Sequence, residues 1–187
     1  RLLPLLTVMF MALAGCATTG DYEEDARLDE AARYNTQLGM TYLQRGDLKQ
    51  ADLKLGKAIE QDPNSAEAHH AYAILQERLG KLDDAADHYQ RATRLDPKYS
   101  EARNNYGRFL CAQGDLKAAQ REFEAAVENP LYSNPEVAYT NAGVCALEAS
   151  NKDEAEQYFR KALAKSPRYL PALFEMAQLL TREAGKP

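Results

Sequence analysis

The chain has 187 residues, a formal net charge of −5, and 45% hydrophobic against 27% charged residues, a balance that excludes wholesale disorder. A mildly acidic protein with no basic stripe of interleaved aromatics is not built to neutralise phosphates, so no nucleic-acid partner is expected. There is no Trp but 11 Tyr, Ala is abundant through the middle, and no long β-branched run occurs, which together predict helix rather than strand.

The first predicted element is an address. Residues 2–13 are almost wholly apolar but too few for a bilayer span, which needs about 20, and they contain Pro4. They read as the apolar region of a secretory signal, with Arg1 left from a basic start that has been clipped. Leu13-Ala14-Gly15-Cys16 follows and resembles the bacterial lipobox, in which small residues precede a lipidated cysteine. Residues 1–15 are therefore expected to be a signal peptide and Cys16 to carry the anchor. A three-chain lipid would hold the protein far more firmly than a single acyl chain, at about 0.8 kcal/mol per buried methylene. By resemblance to sorted lipoproteins, Ala17 after the cysteine implies the outer membrane, facing the periplasm. Residues 16–31, polar and acidic, read as a solvated tether shading into helix at its end.

Residues 32–187 carry an internal repeat, about 32–65, 66–99, 100–135 and 136–169, with a partial fifth over 170–187. Gly39, Ala73, Gly107 and Gly143 occupy position 8. Ala51, Ala85, Ala119 and Ala155 occupy position 20, Leu55, Tyr89, Phe123 and Phe159 position 24, and Ala58, Ala92, Ala126 and Ala162 position 27. Small residues let two antiparallel helices approach while the bulky ones fill the space between them. Gly46, Gly80 and Gly114 close the first helix of each pair, and Pro63, Pro97 and Pro167 end the second. The pattern resembles the tetratricopeptide repeat (TPR), which implies an all-α solenoid, a right-handed superhelix of helix pairs. Repeat four departs from it: Ser150 replaces the turn glycine, so a less regular turn is expected there. The connection 129–135, with two prolines, is two residues long for the register and is expected to be rigid and widened. A half repeat at the end leaves an uncapped apolar face, so the natural protein is expected to continue.

Chemistry is sparse. His69, His70 and His88 lie at no metal-ligand spacing with carboxylates or cysteines and read as solvated surface residues, and no nucleophile elbow, zinc motif or phosphate loop is present. No enzyme activity, metal or cofactor is expected of these residues. Cys111 and Cys145 fall on the first helices of repeats three and four. Helix axes about 8–10 Å apart bring facing Cα atoms to about 4–5 Å, which is disulfide distance. An oxidising compartment favours the bond as a staple between repeats, the alternative being two buried free thiols.

In TPR arrays the first helices line a binding groove, and the residues expected there are Arg33, Met40, Leu43, His70, Ile74, Asn104, Arg108, Thr140, Val144 and Leu147. The Lys/Asn clamp for a terminal carboxylate is absent, and the apolar patches suit an amphipathic helix or extended peptide. Asn104-Asn105-Tyr106-Gly107-Arg108-Phe109-Leu110-Cys111 and Asn141-Ala142-Gly143-Val144-Cys145, with the lipobox and the array, resemble the PilF/PilW family of outer-membrane pilotins. The resemblance covers residues 13–187. It implies a six-repeat lipoprotein of type IV pilus biogenesis that binds the pilus secretin and promotes its outer-membrane localisation and multimerisation. Two other readings stay open, a general periplasmic adaptor for peptidoglycan enzymes or outer-membrane protein assembly, and an enzyme whose catalytic domain lies beyond Pro187.

Overall fold

The computed structural model describes residues 17–184, and the signal region and Cys16 lie outside the described residues. Nine helices and no strand occur among them: α1 (Ala17–Gln44), α2 (Leu48–Gln61), α3 (Ala66–Arg78), α4 (Leu82–Leu95), α5 (Ser100–Ala112), α6 (Leu116–Glu128), α7 (Pro135–Glu148), α8 (Lys152–Lys165) and α9 (Leu170–Ala184). The densest packing lies within the pairs α1/α2, α3/α4, α5/α6 and α7/α8. First helices also touch the next first helix, α1 on α3, α5 on α7 and α7 on α9, so the pairs stack in chain order. This is the all-α TPR solenoid.

The repeat positions account for the core. Alanines 51, 58, 85, 92, 119, 126, 155 and 162 are all fully buried, and Leu55, Tyr89, Phe123 and Phe159 are buried between them. Position 8 shows why it is small: a Cβ on Gly107 would come within 2.8 Å of the Phe123 ring, and one on Gly39 within 2.5 Å of Leu55 Cγ. The helices approach through these gaps, and each bulky residue of a second helix fills the space left by the small residue of the first.

The turns inside the pairs are uniform, repeat four included. Gly46, Gly80 and Gly114 adopt φ of 78°, 74° and 84°, and Ser150 takes the same left-handed conformation at 60°. The amide after each of them donates back across the helix end: Asp47 to Tyr42, Lys81 to Gln76, Asp115 to Leu110 and Asn151 to Ala146, at 2.8–3.0 Å. The expected irregularity of the fourth turn is therefore corrected: hydrogen bonding holds Ser150 in a conformation its Cβ disfavours. In three of the four pairs the next residue caps the second helix, with Asp47, Asp115 and Asn151 accepting from Gln50, Ala118 and Glu154.

One further region differs from the sequence reading. Residues 17–31 are helical from Ala17 instead of an open tether. A helix rises 1.5 Å per residue, so these 15 residues reach about 22 Å, where an extended strand would reach about 50 Å. In the 129–135 connection, Tyr132 is tucked against Ala126 and Ala138 while Leu131 stands 86% exposed. Asn129 ties this connection to the previous one through a 3.0 Å bond to the Lys98 carbonyl. On α9, Ala172 and Leu179 are buried, whereas Leu170, Phe174 and Leu180 are exposed.

Candidate protein-binding groove

Stacking first helices side by side makes a surface with two pockets. The first, about 310 Å³, lies between α1 and α3, where Met40, Thr41 and Gln44 face His70, Ala71 and the Tyr99 ring. The second, about 120 Å³, lies between α5 and α7, with Arg108, Cys111 and Ala112 on one wall and Asn141, Val144 and Glu148 on the other. An ion pair separates them: Arg108 Nη2 stands 2.9 Å from Glu77 Oε2, and the Tyr89 hydroxyl donates to the same oxygen at 2.8 Å. Burial and the Glu77 charge push the Tyr89 hydroxyl well above its ordinary range, so it remains a donor. Arg78 is also committed, donating to the Leu43 carbonyl at 2.7 Å.

Of the residues expected in the groove, Met40 and His70 share the first pocket, and Arg108 and Val144 the second. Arg33 is exposed at the α1 edge. Leu43 is not a groove residue: it is 1% exposed and packs with Ala51, Leu55, Ala71 and Leu75. Thr140 is likewise buried, its hydroxyl spent on the Glu136 carbonyl at 2.7 Å. Ile74 and Leu147 are half-buried and lean on the cores between neighbouring repeats. Asn104 is buried and accepts from Asn141 at 2.9 Å, linking α5 to α7.

The histidines overturn the surface reading. His69 is 4% and His70 7% exposed. Asn105 donates to His70 Nε2 at 2.8 Å, which places the proton on Nδ1 and points it at the Tyr99 hydroxyl 2.9 Å away. Burial drives His70 down to a pKa of about 4, so it stays neutral. Burial also pushes the Tyr99 hydroxyl up to about 12, with Glu67 and Glu101 adding to it. His69 stacks on His88 with their Nδ1 atoms 2.8 Å apart, and His69 Nε2 stands 3.0 Å from the Pro63 carbonyl and 3.1 Å from Arg91 Nε. Burial lowers both, assisted by the Arg91 guanidinium. Among the described residues no group of three or more His, Cys, Asp or Glu is placed to hold a metal.

Cys111 and Cys145 are bonded to each other, with Cα atoms 5.9 Å apart, and both sulfurs' residues wall the second pocket. A Glu148 carboxylate oxygen stands 3.1 Å from Cys111 Sγ. Cys145 also walls a cavity of about 200 Å³ on the other side of α7, among Leu116, Phe123, Ala142, Ala146 and Tyr158. Sequence reasoning missed Tyr99 as a pocket residue. Its signal was the recurrence of Pro97-Lys98-Tyr99 as Pro167-Arg168-Tyr169.

Comparison with known proteins agrees with this architecture. The tetratricopeptide repeat family matches residues 36–100 and 107–169, and a second tetratricopeptide family matches 78–131. The type IV pilus assembly protein PilF of Pseudomonas aeruginosa is 34% identical over 182 residues, 96% of this chain and 72% of that protein. The chain belongs to the PilF family of tetratricopeptide repeat proteins. Its fold superposes on the solved structure of Pseudomonas aeruginosa PilF with a TM-score of 0.80 at 34% identity, over 84% of this chain and 71% of that one. PilW, described as a widely conserved type IV pilus biogenesis factor, superposes with a TM-score of 0.74 at 30% identity, over 79% and 68%. No described helix of this PilF-family chain is long and apolar enough to cross a membrane.

Proposed function

We propose that this chain is a non-catalytic scaffold of type IV pilus biogenesis, fastened to the outer membrane by a lipid on Cys16 and facing the periplasm. Its groove holds a segment of the pilus secretin, and the lipid sets where the bound subunit is delivered and multimerises. The observation that carries the reading is the match to PilF along 96% of the chain, together with a two-pocket surface on the first helices. A stacked array with its side chains locked in a core offers a preformed surface, which reduces the ordering cost of binding. Met40 is half-buried at the first pocket, so Met40→Glu places a charge where an apolar anchor would sit. Co-purification of secretin with Met40→Glu is expected to fall at least about tenfold, the loss of one anchor side chain, while its helical circular dichroism is unchanged. Equal secretin recovery from the variant and the parent would exclude this surface.

A further inference from the structure

The two pockets are separate, small and two repeats apart, and that spacing constrains what can fill both. Adjacent helices pack about 8–10 Å apart, so the α1/α3 pocket and the α5/α7 pocket lie roughly 20 Å apart along the stack. An extended segment rises about 3.3 Å per residue and turns alternate side chains to the same face, so an even number of residues must separate its two anchors. Six residues span the distance. We propose that the groove binds an extended segment with two apolar side chains at i and i+6 and basic residues between them. The proposal rests on the groove being the binding surface described above and adds the chemistry of the occupant.

Two observations favour an extended occupant over a helix, and a third sets its charge. Each pocket matches the scale of side chains, about 310 and 120 Å³, and neither is a continuous trough for a cylinder 10–12 Å across. The walls present side-chain amides, Gln37 and Gln44 in the first pocket and Asn141 in the second. Such amides can pair with the free backbone groups of an extended chain, whereas a helix has already satisfied its own. Charge sets the middle of the segment. Between the pockets both arginines are engaged, Arg108 with Glu77 and Arg78 with the Leu43 carbonyl. Glu67, on the wall of the first pocket, and Glu101 on α5 are exposed and make no ion pair among the described residues. The charges left free there are carboxylates, which favour Lys or Arg.

Fluorescence anisotropy of labelled 12-residue peptides with the purified full chain tests this. The reference peptide carries leucines at i and i+6 and lysines at i+2 and i+4. Moving the second leucine to i+5 turns it to the opposite face and is expected to weaken binding at least about tenfold. Replacing both lysines with glutamates should do the same. The exposed double substitution Glu67→Lys, Glu101→Lys should reverse the preference, so that the glutamate peptide binds more tightly. Binding indifferent to leucine spacing, equal affinity for the lysine and glutamate peptides, or tighter binding of a helical peptide with anchors at i, i+4 and i+7 would each overturn the proposal. The outcome is separable from the secretin reading. Register-dependent peptide binding without secretin capture would refute the secretin reading alone, and secretin capture without register dependence would refute this inference alone.

Discussion

Ser150 shows how one residue bears the geometry of a whole repeat. It replaces glycine at a turn that needs φ near +60°, and the hydrogen bonds Ser150 N–H to Leu147 and Asn151 N–H to Ala146 hold it there. A Cβ in that region costs about 1–2 kcal/mol, part of which glycine returns through the entropy of its unfolded state. Ser150→Gly is therefore expected to stabilise the array by about 1 kcal/mol, raising the thermal midpoint by roughly 2–4 °C in calorimetry. The histidines make a pH argument at the same scale. His70 titrates near 4 when folded and near its ordinary 6.5 when unfolded, and His69 and His88 are lowered as well. Between those two values the unfolded chain binds more protons, so stability is full above pH 6.5 and falls as pH drops toward 4. The His70 contribution is on the order of 3 kcal/mol, and His70→Asn should flatten the slope of urea stability against pH in that window. None of this burial was legible locally, because the partners Tyr99 and Asn105 stand 29 and 35 residues away from His70.

At the scale of elements, the sequence was most informative where chemistry repeats in register. Positions 8, 20, 24 and 27 foretold which helices meet and through which side chains, and the alanines among them are fully buried. It was least informative where one helix serves two neighbours. Leu43 falls at a groove position by register, yet it packs in the core with Leu55 and Leu75. Helix α7 is the element that joins most, with the groove pocket on one side, the 200 Å³ cavity on the other and the disulfide between. The bond closes 34 residues of chain, which in the loop-entropy account stabilises by about 3–4 kcal/mol. Cys111→Ala with Cys145→Ala should lower the denaturant midpoint accordingly, with hydrogen exchange rising first in α5 and α7. Exchange rising uniformly along all helices would show that the staple acts on the array as a whole.

At the scale of the whole molecule, the proposed function joins a surface that would select a client to an anchor that would give the client a destination. The array supplies the first: its pairs share cores with their neighbours, so the two pockets keep a fixed separation. In the proposed function a lipid on Cys16, ahead of α1 in the chain, supplies the second. On that proposal, a groove without the anchor would still capture secretin but deliver it nowhere. The most direct test is membrane fractionation of cells carrying Cys16→Ala, with secretin followed by immunoblot before and after heating. The expected result is that heat-sensitive secretin multimers are lost from the outer membrane and monomers accumulate in the inner membrane. Secretin rings at normal abundance in the outer membrane of that variant would contradict it.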